Sequence, residues 1–203
     1  MEYNTIASED IIQKTATALQ SNGMEVIVVK DGAEAKSKVL ELIPTGAEVM
    51  NMTSITLDTV SLAKEINESE KFSSVRTKLT SMDADTQAGE KRKLGAAPDY
   101  TVGSVHAVTE QGQVVVASNT GSQLPAYAYG SQKVFWVVGA QKIVQNLDEA
   151  LKRIYEYVLP LEAERAKKAY GAPGSNVSKL LITNKEISPG RITVILVKEA
   201  LGF

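Results

Sequence analysis

The runs Val114-Val115-Val116-Ala117 and Val134-Phe135-Trp136-Val137-Val138 constrain this chain more than anything else in it. β-Branched and aromatic residues without polar alternation read as strands buried on both faces, as in a parallel sheet covered by helices. Both runs stop in small polar residues. Ser118-Asn119-Thr120-Gly121-Ser122-Gln123 follows the first, and Gly139-Ala140-Gln141-Lys142 follows the second. Ligands of open α/β sheets lie beyond the carboxyl ends of the strands, so these polar ends mark a candidate crevice.

The rest of the chain agrees with such a sheet. Ser8 is a candidate N-cap for a helix carrying Ile11, Ile12, Thr15 and Leu19, with Gly23 as its stop. Met24 to Val29 predicts a strand, and Lys30-Asp31-Gly32 turns the chain into a helix ended by Pro44. Ala47 to Met52 predicts a second strand and Leu57 to Ile66 another helix. The order αβαβα calls for parallel strands joined by crossover helices. Residues 67–93 are polar and predict helix plus an exposed loop, with Lys91-Arg92-Lys93 read as a solvated helix face. Strand signals return at Tyr100–Gly103, Gln113–Ala117 and Val134–Val138. Leu147 to Leu159 is an amphipathic helix that Pro160 should break, and Leu161 to Tyr170 is a further helical segment. A loop at 171–175 precedes two strands, Leu180–Thr183 and Ile192–Val197.

At 203 residues the chain is expected to form one domain, residues 1–203, in which 1–45 are a helix-and-strand lead-in and 46–203 the core. It has no cysteine and one histidine, His106. Disulfides, thiol catalysis, iron–sulfur clusters and cysteine-ligated metals are thereby excluded within it, and no metal or cofactor is expected. A net charge of −2 gives no electrostatic reason to bind nucleic acid or an anionic membrane. No apolar run approaches the ~20 residues of a membrane-spanning helix. The acidic start MEYNTIASED is not a signal peptide, so a cytoplasmic location is expected. The phosphate-binding loop, the dinucleotide fingerprint and the Gly-x-Ser-x-Gly elbow are all missing from the sequence.

Several residues then stand out as ligand-binding candidates. Asn51, Thr53 and Ser54 lie between a strand and a helix, where hydroxyls either cap the helix or meet a carboxylate or phosphate. Ser118, Asn119, Thr120, Gly121, Ser122 and Gln123 form the strongest candidate, since successive backbone N–H groups in such a loop make an anion cradle. Gln141 and Lys142 end the other buried run, and Lys142 could neutralise an anion there. His106 sits between Val105 and Ala107, either as a hydrogen-bonded structural residue or as a proton-transfer group near neutral pH.

Four segments in order resemble the LUD domain family, which includes the C-type lactate-utilisation proteins. They are Gly46–Val49 with Ser54–Leu57, Thr109–Gly112 leading into Val114–Ser118, Val134–Val144 followed by Leu147–Ile154, and Pro189-Gly190-Arg191 before Ile192–Val197. The sequence departs from the family pattern at His106 and at Gln111-Gly112-Gln113. The resemblance implies a three-layer α/β/α domain with a mostly parallel sheet, of the NagB/RpiA/CoA-transferase type. It implies a metal-free metabolite-binding or accessory subunit in lactate or organic-acid oxidation, beside iron–sulfur partner subunits and with homo-oligomer formation open. It also raises Glu110, in a Glu-x-Gly setting, as the nucleophile or base of a stand-alone enzyme acting on an acyl-CoA or small anionic metabolite. The alternatives are a turn residue at Glu110 and a non-catalytic metabolite-sensing module.

Overall fold

The valine-rich runs become the centre of a layered structure. The computed structural model describes residues 3–171 and 173–203. Met1, Glu2 and, within the loop expected at 171–175, Ala172 lie outside the described residues.

The strands in chain order are β1 (Glu25–Val29), β2 (Glu48–Asn51), β3 (Ser73–Ser74), β4 (Tyr100–Gly103) and β5 (Ala107–Thr109). There follow β6 (Val114–Ser118), β7 (Lys133–Gly139), β8 (Ile143–Val144), β9 (Lys179–Thr183) and β10 (Ile192–Val197). The helices are α1 (Glu9–Ser21), α2 (Gly32–Leu42), α3 (Ile55–Thr59), α4 (Leu62–Glu68), α5 (Val75–Ser81), α6 (Ala88–Ala96), α7 (Leu147–Arg153) and α8 (Leu159–Tyr170).

Six strands pair in parallel in the order β1-β10-β7-β4-β2-β3. Alternation along β7 and β10 sorts their side chains onto two faces. Val134, Trp136, Val138, Ile192, Val194 and Leu196 pack with Ile12, Ala16 and Leu19 of α1 and Val75 of α5. Phe135, Val137, Ile195 and Val197 pack instead with Ala35 and Val39 of α2, Leu57 of α3 and Leu62 and Ile66 of α4. A mostly parallel sheet between two helical layers is therefore what the chain builds, as its sequence predicts. β1 forms one edge through β10, which makes residues 25–29 part of the main sheet.

A second sheet, in the order β8-β5-β6-β9, stands beyond the carboxyl ends of β4 and β7. The chain enters it through Ser104–His106 after β4 and through a 3₁₀ turn at Ala140–Lys142 after β7. Its pairs are antiparallel for β5 with β6 and for β6 with β9, and parallel for β5 with β8. One face of it, with Ala107, Val115, Ala117 and Val144, packs on Ala150 of α7 and on Ile154. The run Val114–Ala117 thus pairs antiparallel on both sides in this second, mixed sheet and is not part of the main one. A strand buried on both sides reads the same in either setting, because periodicity reports burial and not partner direction.

Two helix expectations change in detail. The span 57–66 splits into α3 and α4 at Ser61, which takes a left-handed φ of 56°. Pro160 does not break the helix: Ile154–Val158 winds as a π turn, and Pro160 lies in the first turn of α8 directly after it. Proline has no N–H to give the preceding turn, and the wider π spacing there accommodates it.

Candidate functional site

Where the two sheets meet, a cavity of about 360 Å³ opens. Thr53, Ser54 and Thr56 line it from the end of β2, Ser104 to His106 from the end of β4, and Lys142 from the turn after β7. The segment from Ala117 to Gln123, apart from Gly121, lines it from the end of β6. Glu162, Arg165, Asn176 and Phe203 complete the rim.

Lys142, a candidate from its place after a buried strand, does line the cavity. It is 1% exposed, and its Nζ is within hydrogen-bond distance of Thr56 Oγ1 (2.9 Å), Ser104 Oγ (3.1 Å) and the Val105 carbonyl (3.1 Å). The Thr56 hydroxyl is itself committed as a donor to the Leu201 carbonyl at 3.1 Å. Among the described residues Lys142 has no carboxylate partner. Burial pushes its amine well below the usual lysine range, and the nearby Arg153 guanidinium adds to that. Arg153, also fully buried, donates to the His106 carbonyl and lies over the Tyr157 ring at 5.2 Å.

His106 lies beside this pair. Its Nδ1 accepts the Ala117 N–H at 3.1 Å, which fixes the tautomer: the ring proton is on Nε2. Burial, then Lys142 and Arg153, push the imidazole down to about 3. In the neutral ring, Nε2 is the donor.

The loop after β6 is tied to itself. Ser118 Oγ accepts the Gly121 N–H at 2.9 Å, and Gly121 adopts a φ of 85° that favours glycine. Thr120 donates to Ser122 Oγ at 3.1 Å, and Asn119 Oδ1 accepts from Ser178 at 3.3 Å. In these bonds Ser118, Ser122 and Asn119 spend acceptors, so the two hydroxyl hydrogens and the Asn119 amide hydrogens are uncommitted among the described residues. Glu162 and Arg165 close the rim as a bidentate pair, with both N–O distances 2.7 Å.

Three expected residues lie elsewhere. Glu110 is on the turn between β5 and β6, where it pairs with Lys14 at 2.7 Å, and it does not line the cavity. Asn51 is buried behind the cavity wall, its carbonyl accepting from Arg76. Gln141 is buried as well, its amide donating to the carbonyls of Leu201 and Gly202. Ser54 occupies the N-cap of α3 without a side-chain capping bond, and it lines the cavity. The polar and aromatic lining residues that sequence reasoning missed include Thr56, Ser104, Glu162, Arg165, Asn176 and Phe203. Ser104 was within reach: it is the small polar residue ending the strand Tyr100–Gly103, as Ser118 ends β6. Among the described residues no group of His, Asp and Glu is placed to hold a metal ion, and no helix is long and apolar enough to cross a membrane.

Comparison with known proteins agrees with this fold. The LUD domain family model matches residues 12–197. Among curated proteins none matches the chain. A solved structure of a DUF162 family protein from Deinococcus radiodurans is similar with a TM-score of 0.58. The two are 12% identical, and the likeness covers 95% of this chain and 99% of that one. At that identity the likeness speaks for the fold.

Proposed function

Because this chain belongs to the LUD domain family, we propose that it serves lactate or related organic-acid utilisation by holding a small carboxylate metabolite in the cavity between its sheets. The observation that carries this reading is the Lys142 amine, buried with three oxygen neighbours and, among the described residues, no carboxylate. An entering carboxylate would supply the missing negative charge and restore the proton on the amine. Ser118, Ser122, Asn119 and His106 Nε2 supply hydrogens around the same space, and the Glu162–Arg165 pair is already neutralised. Selection among anions then rests on hydrogen-bond geometry.

On this reading the chain is a metal-free, cytoplasmic subunit, and electron transfer belongs to iron–sulfur partner proteins. Glu110, paired with Lys14 away from the cavity, has no part in it. Thermal melts with acetate, lactate and pyruvate test the binding. A saturable rise in the melting midpoint is expected, abolished in the triple variant Ser118→Ala, Asn119→Ala, Ser122→Ala. The absence of any rise in the wild-type chain would remove the reading. Affinity purification from the native host tests the subunit role, where isolation as a self-sufficient homomer would point to a stand-alone metabolite sensor.

A further inference from the structure

We propose that Ser104 is a nucleophile and Lys142 its general base, a dyad that cleaves an ester of a small organic acid in the cavity. This goes beyond the binding reading, because it assigns a reaction to two atoms at the cavity floor. A neutral amine has two N–H groups and one lone pair. The Val105 carbonyl can only accept, and the Thr56 hydroxyl has given its hydrogen to Leu201, so it accepts too. These two neighbours take both N–H groups. The third neighbour, the Ser104 hydroxyl, is 3.1 Å from Nζ and has no other hydrogen-bond partner among the described residues. With both N–H groups of a neutral amine taken, it is the hydroxyl that gives its hydrogen to the remaining lone pair. Every group is then satisfied. An ammonium at the same place would be a buried charge without a counter-ion, which is the costlier state.

A serine hydroxyl hydrogen-bonded to a buried neutral lysine is the arrangement by which Ser–Lys pairs replace the Ser–His–Asp triad. The distance lies within the reach that general-base proton transfer requires. Both groups stand on rigid supports. Ser104 follows β4 and Lys142 follows β7, which are adjacent in the main sheet with Gly103 paired to Trp136. His106, which lines the same cavity, presents a neutral N–H suited to the oxyanion that forms during acyl transfer.

Lys142 Nζ takes the Ser104 proton while Oγ bonds to the acyl carbon, giving a tetrahedral oxyanion. Collapse breaks the bond to the alcohol oxygen, which takes the proton back from Lys142 and leaves as the alcohol. Water then attacks the acyl-serine and gives a proton to Lys142. Collapse returns that proton to Ser104 and releases the organic acid. The net reaction is ester plus water to acid plus alcohol, with no oxidant or reductant.

The test is active-site labelling of the full chain with a short alkyl fluorophosphonate, read by intact-mass and peptide mass spectrometry. A single adduct at Ser104 is expected, and none in Ser104→Ala. Lys142→Met should slow labelling at least ~100-fold, the lower end of what a general base contributes. Wild-type chain without an adduct at Ser104 overturns the proposal. So does labelling at the wild-type rate in Lys142→Met or, should that variant not fold, in Lys142→Gln, which keeps N–H donors for the Val105 carbonyl and Thr56 but has no basic lone pair. The binding reading fails separately: an adduct at Ser104 in a wild-type chain that acetate, lactate and pyruvate do not stabilise would remove that reading and leave the dyad standing.

Discussion

Gln141 donates its side-chain amide to the Leu201 carbonyl at 3.0 Å, the same oxygen that the Thr56 hydroxyl reaches at 3.1 Å. The neighbouring residue, Lys142, holds that Thr56 hydroxyl from the other side. Segments 56, 141–142 and 201–203 are thus one hydrogen-bonded knot at the end of the main sheet, and Phe203 reaches the cavity from it. Gly202 belongs to it too: its φ is +62°, and a Cβ there would meet Thr56 Oγ1 at 2.6 Å.

Removing the Gln141 amide should release this knot. Gln141→Leu leaves the Gly202 carbonyl short of a donor, and a cost of about 1–3 kcal/mol is expected. Chemical denaturation measures the loss, and hydrogen exchange at residues 199–203 should accelerate while exchange in β7 does not.

His106 makes stability depend on pH with a defined sign. Its folded pKa, about 3, lies below the unfolded value near 6.5. Between those limits the unfolded chain binds a proton that the native one does not. Stability from this group is therefore present above pH 6.5 and falls as the solution is acidified, at up to about 1.4 kcal/mol per pH unit. His106→Gln, which can still accept the Ala117 N–H, should flatten denaturation midpoints between pH 6.5 and 4 relative to the wild-type chain.

Lys142 acts in the alkaline range with the same sign. Its folded pKa is lowered and its unfolded one is ordinary, so native stability rises with pH until the unfolded lysine loses its proton near 10.4. Lys142→Met removes that rise. At pH 7 the variant should melt lower than the wild-type chain, because the buried Val105 carbonyl and Thr56 hydroxyl lose their donor. A melting series from pH 7 to 10 distinguishes the two slopes.

Glu110→Gln should be nearly silent. The pair with Lys14 is at the surface, with Lys14 61% exposed, and such pairs contribute about 0–1 kcal/mol. Stabilisation by lactate or acetate should be unchanged, in contrast to its loss in the variant lacking the polar groups of residues 118, 119 and 122.

The sequence was most legible where burial writes a pattern. Val134–Val138 and Ile192–Val197 are apolar on both faces, and they form adjacent central strands. It was less legible where a partner's identity matters. Val114–Ala117 has the same composition, yet it pairs antiparallel with Leu180–Thr183 in a sheet of its own. The polar loop at 118–123 was visible because six small polar residues follow a buried strand. Lys142 was visible only as a charge at a strand end, since nothing in Gly139-Ala140-Gln141-Lys142 tells an inward lysine from a solvated one. The short 3₁₀ turn makes that choice by tucking all three of its side chains inside. Ser104 and Thr56 become meaningful only once that amine is between them.

The position of β10 between β1 and β7 has a consequence for how the molecule is made. During synthesis residues 25–29 emerge early but have no neighbour in the sheet until residues 192–197 exist. β1 is joined to the sheet only through β10, the last of the six strands in chain order, whereas β7, β4, β2 and β3 pair without it. Closing contacts across such long stretches makes for slow folding. The cavity, whose walls come from residues as far apart as Thr53 and Phe203, is complete only after that closure.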